Sequence, residues 1–215
     1  MSEAKYICRR LPAEGKLSLP LGASLWERAE QVELLEVVSG GEPRLGTRVR
    51  AAWNDWGVYY RFECEDDYIL STMTQRDDPI YEEDVVEVFM SVDGDLTRYF
   101  EFEFSPAGVL FDAKIVNDLS DPKGASIQVD TSWDSAELAS SVSVDLANRR
   151  VVYEIAIPAV DLLNGKSIQP GDEWRTNLYR IDRSPNRDED EYTAWSPTGI
   201  VRFHIPRRFG TFVFE

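Results

Sequence analysis

Along residues 84–92 the chain alternates between apolar and mixed positions. Val86, Val88, Met90 and Val92 fall on one side of an extended strand, which turns Val85, Glu87 and Phe89 to the other. The same period of two runs through 99–104, where Phe100, Phe102 and Phe104 share one face and Tyr99, Glu101 and Glu103 the other. Between them, Asp93-Gly94-Asp95 reads as a hairpin turn, because Asp-Gly supplies the positive φ angles such turns need. Segments 47–53, 58–64, 142–146, 151–157, 173–181 and 210–214 also have strand character and turn-forming flanks. In the segment 173–181, Asn177 and Tyr179 point one way and Leu178 and Arg180 the other, so one face must accommodate a charge.

Helical signals are few and short. Ser24 is placed to cap a turn over 25–29, and Pro158 to open another through Leu163 that Asn164-Gly165 stops. The expectation is an all-β domain, an antiparallel two-sheet β-sandwich of jelly-roll type with one or two short helical turns, spanning 1–215 as one domain. The stretch 182–191, which carries Arg183, Pro185 and Arg187, is expected to be a long loop.

Composition narrows the partners. The 215 residues are 43% hydrophobic, enough for a substantial core, and 39 acidic against 23 basic residues leave a formal charge of −16. That sign disfavours nucleic acid and anionic membrane. No apolar run approaches the roughly 20 residues of a membrane span. With Met1 as the native start, Met-Ser-Glu-Ala-Lys contains no leader and a cytoplasmic location is expected; a trimmed signal would make the protein extracellular. Cys8 and Cys64 permit one disulfide but have no metal-binding spacing, and two reduced thiols are the simpler expectation.

Chemistry concentrates on one strand face. If the two alternating strands pair, Glu87 meets Glu101 or Glu103 on a surface rich in negative charge, suited to accept hydrogen bonds from sugar hydroxyls or to hold a cation. Tyr81 stands just ahead of these carboxylates. Arg180 is read as the partner of a buried carboxylate or as an edge residue.

The order of motifs along most of the chain resembles carbohydrate-binding module family 9 and its wider family-9-like group. The resemblance rests on Trp26, on Thr47-Arg48-Val49-Arg50 with Trp53-Asn54-Asp55, and on the Glu-Asp-Val-Val-Glu-Val-Phe strand from Glu83 to Phe89. It continues with Glu154-Ile155-Ala156-Ile157-Pro158, Asn177, Trp195-Ser196 and the closing Phe209-Gly210. It implies a β-sandwich that binds sugars without cleaving them, gripping a pyranose between two aromatic rings. Carried over by position, the first clamp ring falls on Tyr81, the ligand-binding glutamate on Glu87 and the second clamp ring on Phe203. Three departures accompany this. Both rings are smaller than the family's tryptophans, Glu101 is nearest to the family's ligand-binding arginine, and Ile200 replaces its asparagine. Asn177 is an assisting donor and acceptor, and Trp195 matches a structural tryptophan.

The implied partner is a mono- or oligosaccharide derived from glucan or xylan. No cofactor is required. Structural calcium is allowed, with Asp66-Asp67, Asp77-Asp78, or Asp93 with Asp95 as its oxygen donors. Two other functions stay open. A glycoside hydrolase would use two of Glu87, Glu101, Glu103 and Asp84, about 5 to 9.5 Å apart. A haem module would draw axial ligands from Met73, Met90 and His204. His204 is the only histidine and there is no Gly-x-Ser-x-Gly elbow, so a serine hydrolase has neither spare base nor nucleophile.

Overall fold

In the computed structural model, residues 4–121, 123, 126–186 and 189–215 are described; Arg187 of the expected long loop lies outside them. The strands are β1 (Lys5–Arg10), β2 (Gln31–Glu33), β3 (Leu35–Glu36), β4 (Thr47–Trp53), β5 (Gly57–Glu65), β6 (Val85–Ser91) and β7 (Arg98–Phe104). They continue with β8 (Leu110–Asn117), β9 (Ile127–Asp130), β10 (Ala139–Asp145), β11 (Arg150–Pro158), β12 (Glu173–Asp182), β13 (Glu191–Ala194) and β14 (Gly210–Phe214). The helices, α1 (Ala23–Trp26) and α2 (Ala159–Leu162), are single turns. Neighbouring strands run in the order β10-β11-β5-β4-β1-β14-β12-β6-β7-β8-β9, with β13 on β12 and β2 on β4.

The fold is all-β, but the expected purely antiparallel pairing is corrected. Lys5–Cys8 of β1 pair in parallel with β14, and Arg9–Arg10 pair in parallel with β4. Parallel neighbours need a long crossover, and here nearly the whole chain provides it, since β1 and β14 come from opposite ends of the sequence. Side chains from both wings of the strand order meet in one core. Val49, Phe62, Tyr153 and Ile155 come from β4, β5 and β11, and Val88, Phe102, Leu178 and Phe212 from β6, β7, β12 and β14. This is consistent with a β-sandwich.

The short helices obey local rules with one exception. Gly22, not Ser24, stands at the N-cap of α1, and no side chain caps it. Pro158 does open α2, and Asn164 and Gly165 end it with φ of 52° and 84°. Cys8 and Cys64 are free thiols in the main core.

Arg180 resolves the charge on the inner face of β12. It is 4% exposed and donates to Asp66 at 2.9 Å, to Asp182 and to the Glu65 carbonyl at 2.7 Å. A buried guanidinium is tolerated only with its hydrogen bonds and charge met in this way. Trp195 packs edge-on against Tyr6 and Phe212, a structural position.

Candidate functional site

The pleat that sends Val86, Val88 and Met90 into the main core turns Phe89 into a second apolar cluster with Tyr179, Tyr99, Phe111 and Phe203. Strand register then lays out a row across this face. Tyr179 of β12 stands opposite Glu87 of β6, Glu87 opposite Glu103 of β7, and Glu103 opposite Phe111 of β8. The adjacent row runs Asn177, Phe89, Glu101 and Ala113. Three glutamates thus converge at the floor of a cavity of about 870 Å³ whose walls include Phe89, Phe111 and Phe203.

The rim has two aromatic side chains of different character. Tyr81, on the 3-10 turn Ile80–Glu82, is 44% exposed and meets Phe111 edge-on at 6.0 Å. Phe203 is almost buried, stacked on Tyr179 at 4.1 Å and 7°, while the Tyr179 hydroxyl donates to the Phe203 carbonyl at 2.9 Å. Arg183 fixes the Tyr81 turn by donating to its carbonyl at 2.8 Å, and also pairs with Asp190 at 3.0 Å and donates to the Tyr192 hydroxyl at 2.6 Å.

Electrostatically the floor is unusual. One oxygen from each of Glu87, Glu101 and Glu103 lies within 4.8 Å of the others, and all three residues are buried. Burial, reinforced for Glu87 by the Glu101 charge, holds Glu87 and Glu103 well above the ordinary carboxylate range, and burial pushes Glu101 up to about 7. Neither Glu103 oxygen has a hydrogen bond of good geometry; it faces the Glu101 carboxyl and the Tyr81 backbone. His204 stands 3.9 Å from Glu101, with Nδ1 2.9 Å from the Tyr99 hydroxyl. Burial lowers His204 to about 4, so it is neutral near pH 7 and offers these carboxyls no charge.

Of the residues singled out in the sequence, Tyr81, Glu87, Glu101 and Phe203 line this one cavity. Asn177 does not. It is fully buried, its amide donates to the Ser196 carbonyl at 2.8 Å, and its oxygen accepts from the Ser196 N–H at 2.9 Å. Asp84 is likewise outside the lining and is held by the Leu70 and Arg183 amides at 2.7 and 2.6 Å. Among the haem candidates, Met90 points into the main core while His204 lines the cavity, so the two do not converge. Phe111 and Arg183 line the cavity without having been singled out as site residues, and Glu103 and His204, raised in the sequence as an alternative carboxylate and as a haem ligand, line it as well.

The places suggested for calcium are largely occupied by internal donors. Asp66 is bound by Arg180, and Asp67 by Arg44 at 2.7 Å and Arg149 at 3.0 Å. Asp93 accepts from the Asp95 N–H, and Asp95 from Thr97. Asp77 gathers with Asp112 and Asp134 within 4.8 Å, but Arg76 donates to both Asp112 and Asp134 and supplies the positive charge there.

Known structures share this architecture. A candidate carbohydrate-binding protein from Bacteroides uniformis superposes with a TM-score of 0.74 at 21% identity over 100% of both chains. A carbohydrate binding module family 9 from Caldicellulosiruptor kristjanssonii, solved with glucose, gives 0.65 at 12% identity over 99% of this chain and 96% of that one. Its complex with cellotriose gives 0.65 at 11% over 99% and 94%. Among curated proteins, none matches. The family model described as carbohydrate family 9 binding domain-like matches residues 21–215, and the chain therefore belongs to that family, as a non-catalytic binding module.

Proposed function

We propose that the chain binds a mono- or oligosaccharide in the 870 Å³ cavity, with one sugar ring against Tyr81 and Phe203 and its hydroxyls toward Glu87 and Glu101. The observation that carries this reading is the meeting of an exposed tyrosine, an apolar wall and buried carboxyls in one cavity. A pyranose has C–H faces that bury against rings and hydroxyls that need partners at the edge, and this lining offers both. The C. kristjanssonii module was solved with glucose and cellotriose, which supports glucan-type sugars as first ligands to test. In this reading the two wings are the facing sheets of a jelly-roll-like sandwich, and the cavity lies on the outer face of one of them.

A glycosidase reading finds less support. Asp84 lies outside the cavity, and the chain belongs to a family of non-catalytic binding modules.

Titration calorimetry with glucose, cellobiose, xylose and xylobiose tests the proposal, using the native protein beside Tyr81→Ala. Tyr81 is half exposed and outside the core clusters, so its removal is expected to leave the fold intact and weaken binding by roughly tenfold or more, the worth of a lost aromatic platform. Unchanged affinity in the variant would place the sugar elsewhere.

A further inference from the structure

Glu87 and Glu103 face each other directly across β6 and β7, and Glu101 is two residues from Glu103 on the same face. Like charges placed opposite in a sheet destabilise it, and burial multiplies the cost. Buried carboxylates are ordinarily matched by a cation, as Asp66 and Asp182 are by Arg180. Among the described residues no lysine or arginine forms an ion pair with Glu87, Glu101 or Glu103. Arg183 is the cation whose charge reaches Glu87, yet its hydrogen bonds go to Asp190, Tyr192 and the Tyr81 carbonyl. The cavity lining also holds Asp77, His204, which is neutral near pH 7, the Tyr81 hydroxyl, and Arg202, an exposed cation beside His204 that forms no ion pair with the three glutamates. Neither Glu103 oxygen has a hydrogen bond of good geometry in its fully buried position on the cavity lining, beside the Glu101 carboxyl and the Tyr81 backbone. Among the described residues the three carboxyls thus have no paired cation of their own at the bottom of an open space.

We infer that this cavity selects a sugar carrying a protonated primary amine, an amino sugar with a free ammonium, over the neutral hexose of the same shape. The inference rests on the sugar-binding reading and specifies its ligand class. An ammonium brings one charge and three donors, the complement of a cluster with unpaired acceptors. The walls favour it over a bare metal ion. Phe89, Phe111 and Phe203 suit a carbon ring carrying an ammonium, whereas calcium or magnesium takes six or more oxygen ligands. The formal charge of −16 draws cations toward the protein and repels uronic acids. Binding also has a proton signature. Carboxyls held protonated by burial and mutual repulsion give up protons when a cation arrives, and a neutral sugar would cause no such release.

The test is calorimetric titration of the native protein and Glu103→Gln with glucose, glucosamine, N-acetylglucosamine and glucuronate, in two buffers of different ionisation heat, with calcium chloride alone as a further arm. The expected result is glucosamine at least about tenfold tighter than glucose and N-acetylglucosamine, with proton release for glucosamine only. Glucuronate should be weakest, and in Glu103→Gln the amine preference should fall to within about threefold while glucose still binds. Equal affinities for glucose and glucosamine would overturn the inference and leave the sugar site standing. Failure of every sugar would overturn both. Tight calcium binding lost in Glu103→Gln, without an amine preference, would make the cluster a metal site and also overturn it.

Discussion

Glu103 is the least favourably placed carboxyl of the cavity floor. It is fully buried without a good hydrogen bond, opposite one carboxyl and near another. A carboxyl whose folded pKa lies above its unfolded value favours the folded state below the unfolded pKa, and that contribution is lost as pH rises through the folded pKa. Glu101 at about 7, with Glu87 and Glu103 well above the ordinary range, puts this loss between about pH 4.5 and the alkaline side of neutrality. Asp84 at about 6, raised by burial, acts with the same sign. Urea denaturation from pH 5 to 8.5 is thus expected to show native stability falling. Glu103→Gln should have a shallower slope and be more stable at pH 8 by roughly 1 to 3 kcal/mol. A variant no more stable than native at pH 8 would mean that Glu103 carries no electrostatic cost. The side facing of Glu87, Glu101 and Glu103 was legible in the alternating strands. Their mutual distance was not, because it depends on cross-strand register.

At the scale of elements, β6 and β7 declared themselves through apolar positions at every second residue and β12 through strand-forming residues that alternate less cleanly, and each lies within about a residue of its expected bounds. β8 was not singled out, although Phe111, Ala113 and Ile115 alternate with Asp112 and Lys114 and share the cavity face; on the other face Asp112 is buried with Arg76 while Lys114 and Val116 are exposed. Phe111, a wall of the cavity, was missed with it. Asn177 lies on the expected face, but loop 195–197 reaches it first and takes up its amide. β1 was invisible for a different reason: its partners β14 and β4 are distant in sequence, and a parallel pairing has no hairpin turn to announce it. Tyr6 helps fasten that strand. Its hydroxyl lies 2.7 Å from the Glu30 carbonyl and 2.9 Å from the Ala51 carbonyl, sharing one proton between them, and accepts from the Ala51 amide at 2.7 Å. Tyr6→Phe leaves that buried amide unpaired and is expected to cost roughly 1 to 3 kcal/mol by urea denaturation, with faster hydrogen exchange at Ala51. Unaltered stability and exchange would show that β1 is held by its apolar contacts alone.

Across the whole molecule, the two ends of the chain and both wings of the strand order meet in one core, while the cavity opens on the opposite face of β12, β6, β7 and β8. This separation lets the cavity carry acidic, poorly paired residues without interrupting the packing that holds the fold. Family membership and the ordered motifs agree on a binding module, and the altered residues, Tyr81, Phe203 and Glu101 among them, lie around the cavity rather than in the main core. The measurement that addresses the central claim most directly is amide shift mapping of the labelled protein during titration with glucose and then glucosamine. The expected perturbations cluster on Tyr81, Glu87, Glu101, Glu103 and Phe203, and are larger at Glu101 and Glu103 for the amine. Perturbations centred on another surface, such as the groove beside Arg61 and Glu154, or none at saturating sugar, would contradict it.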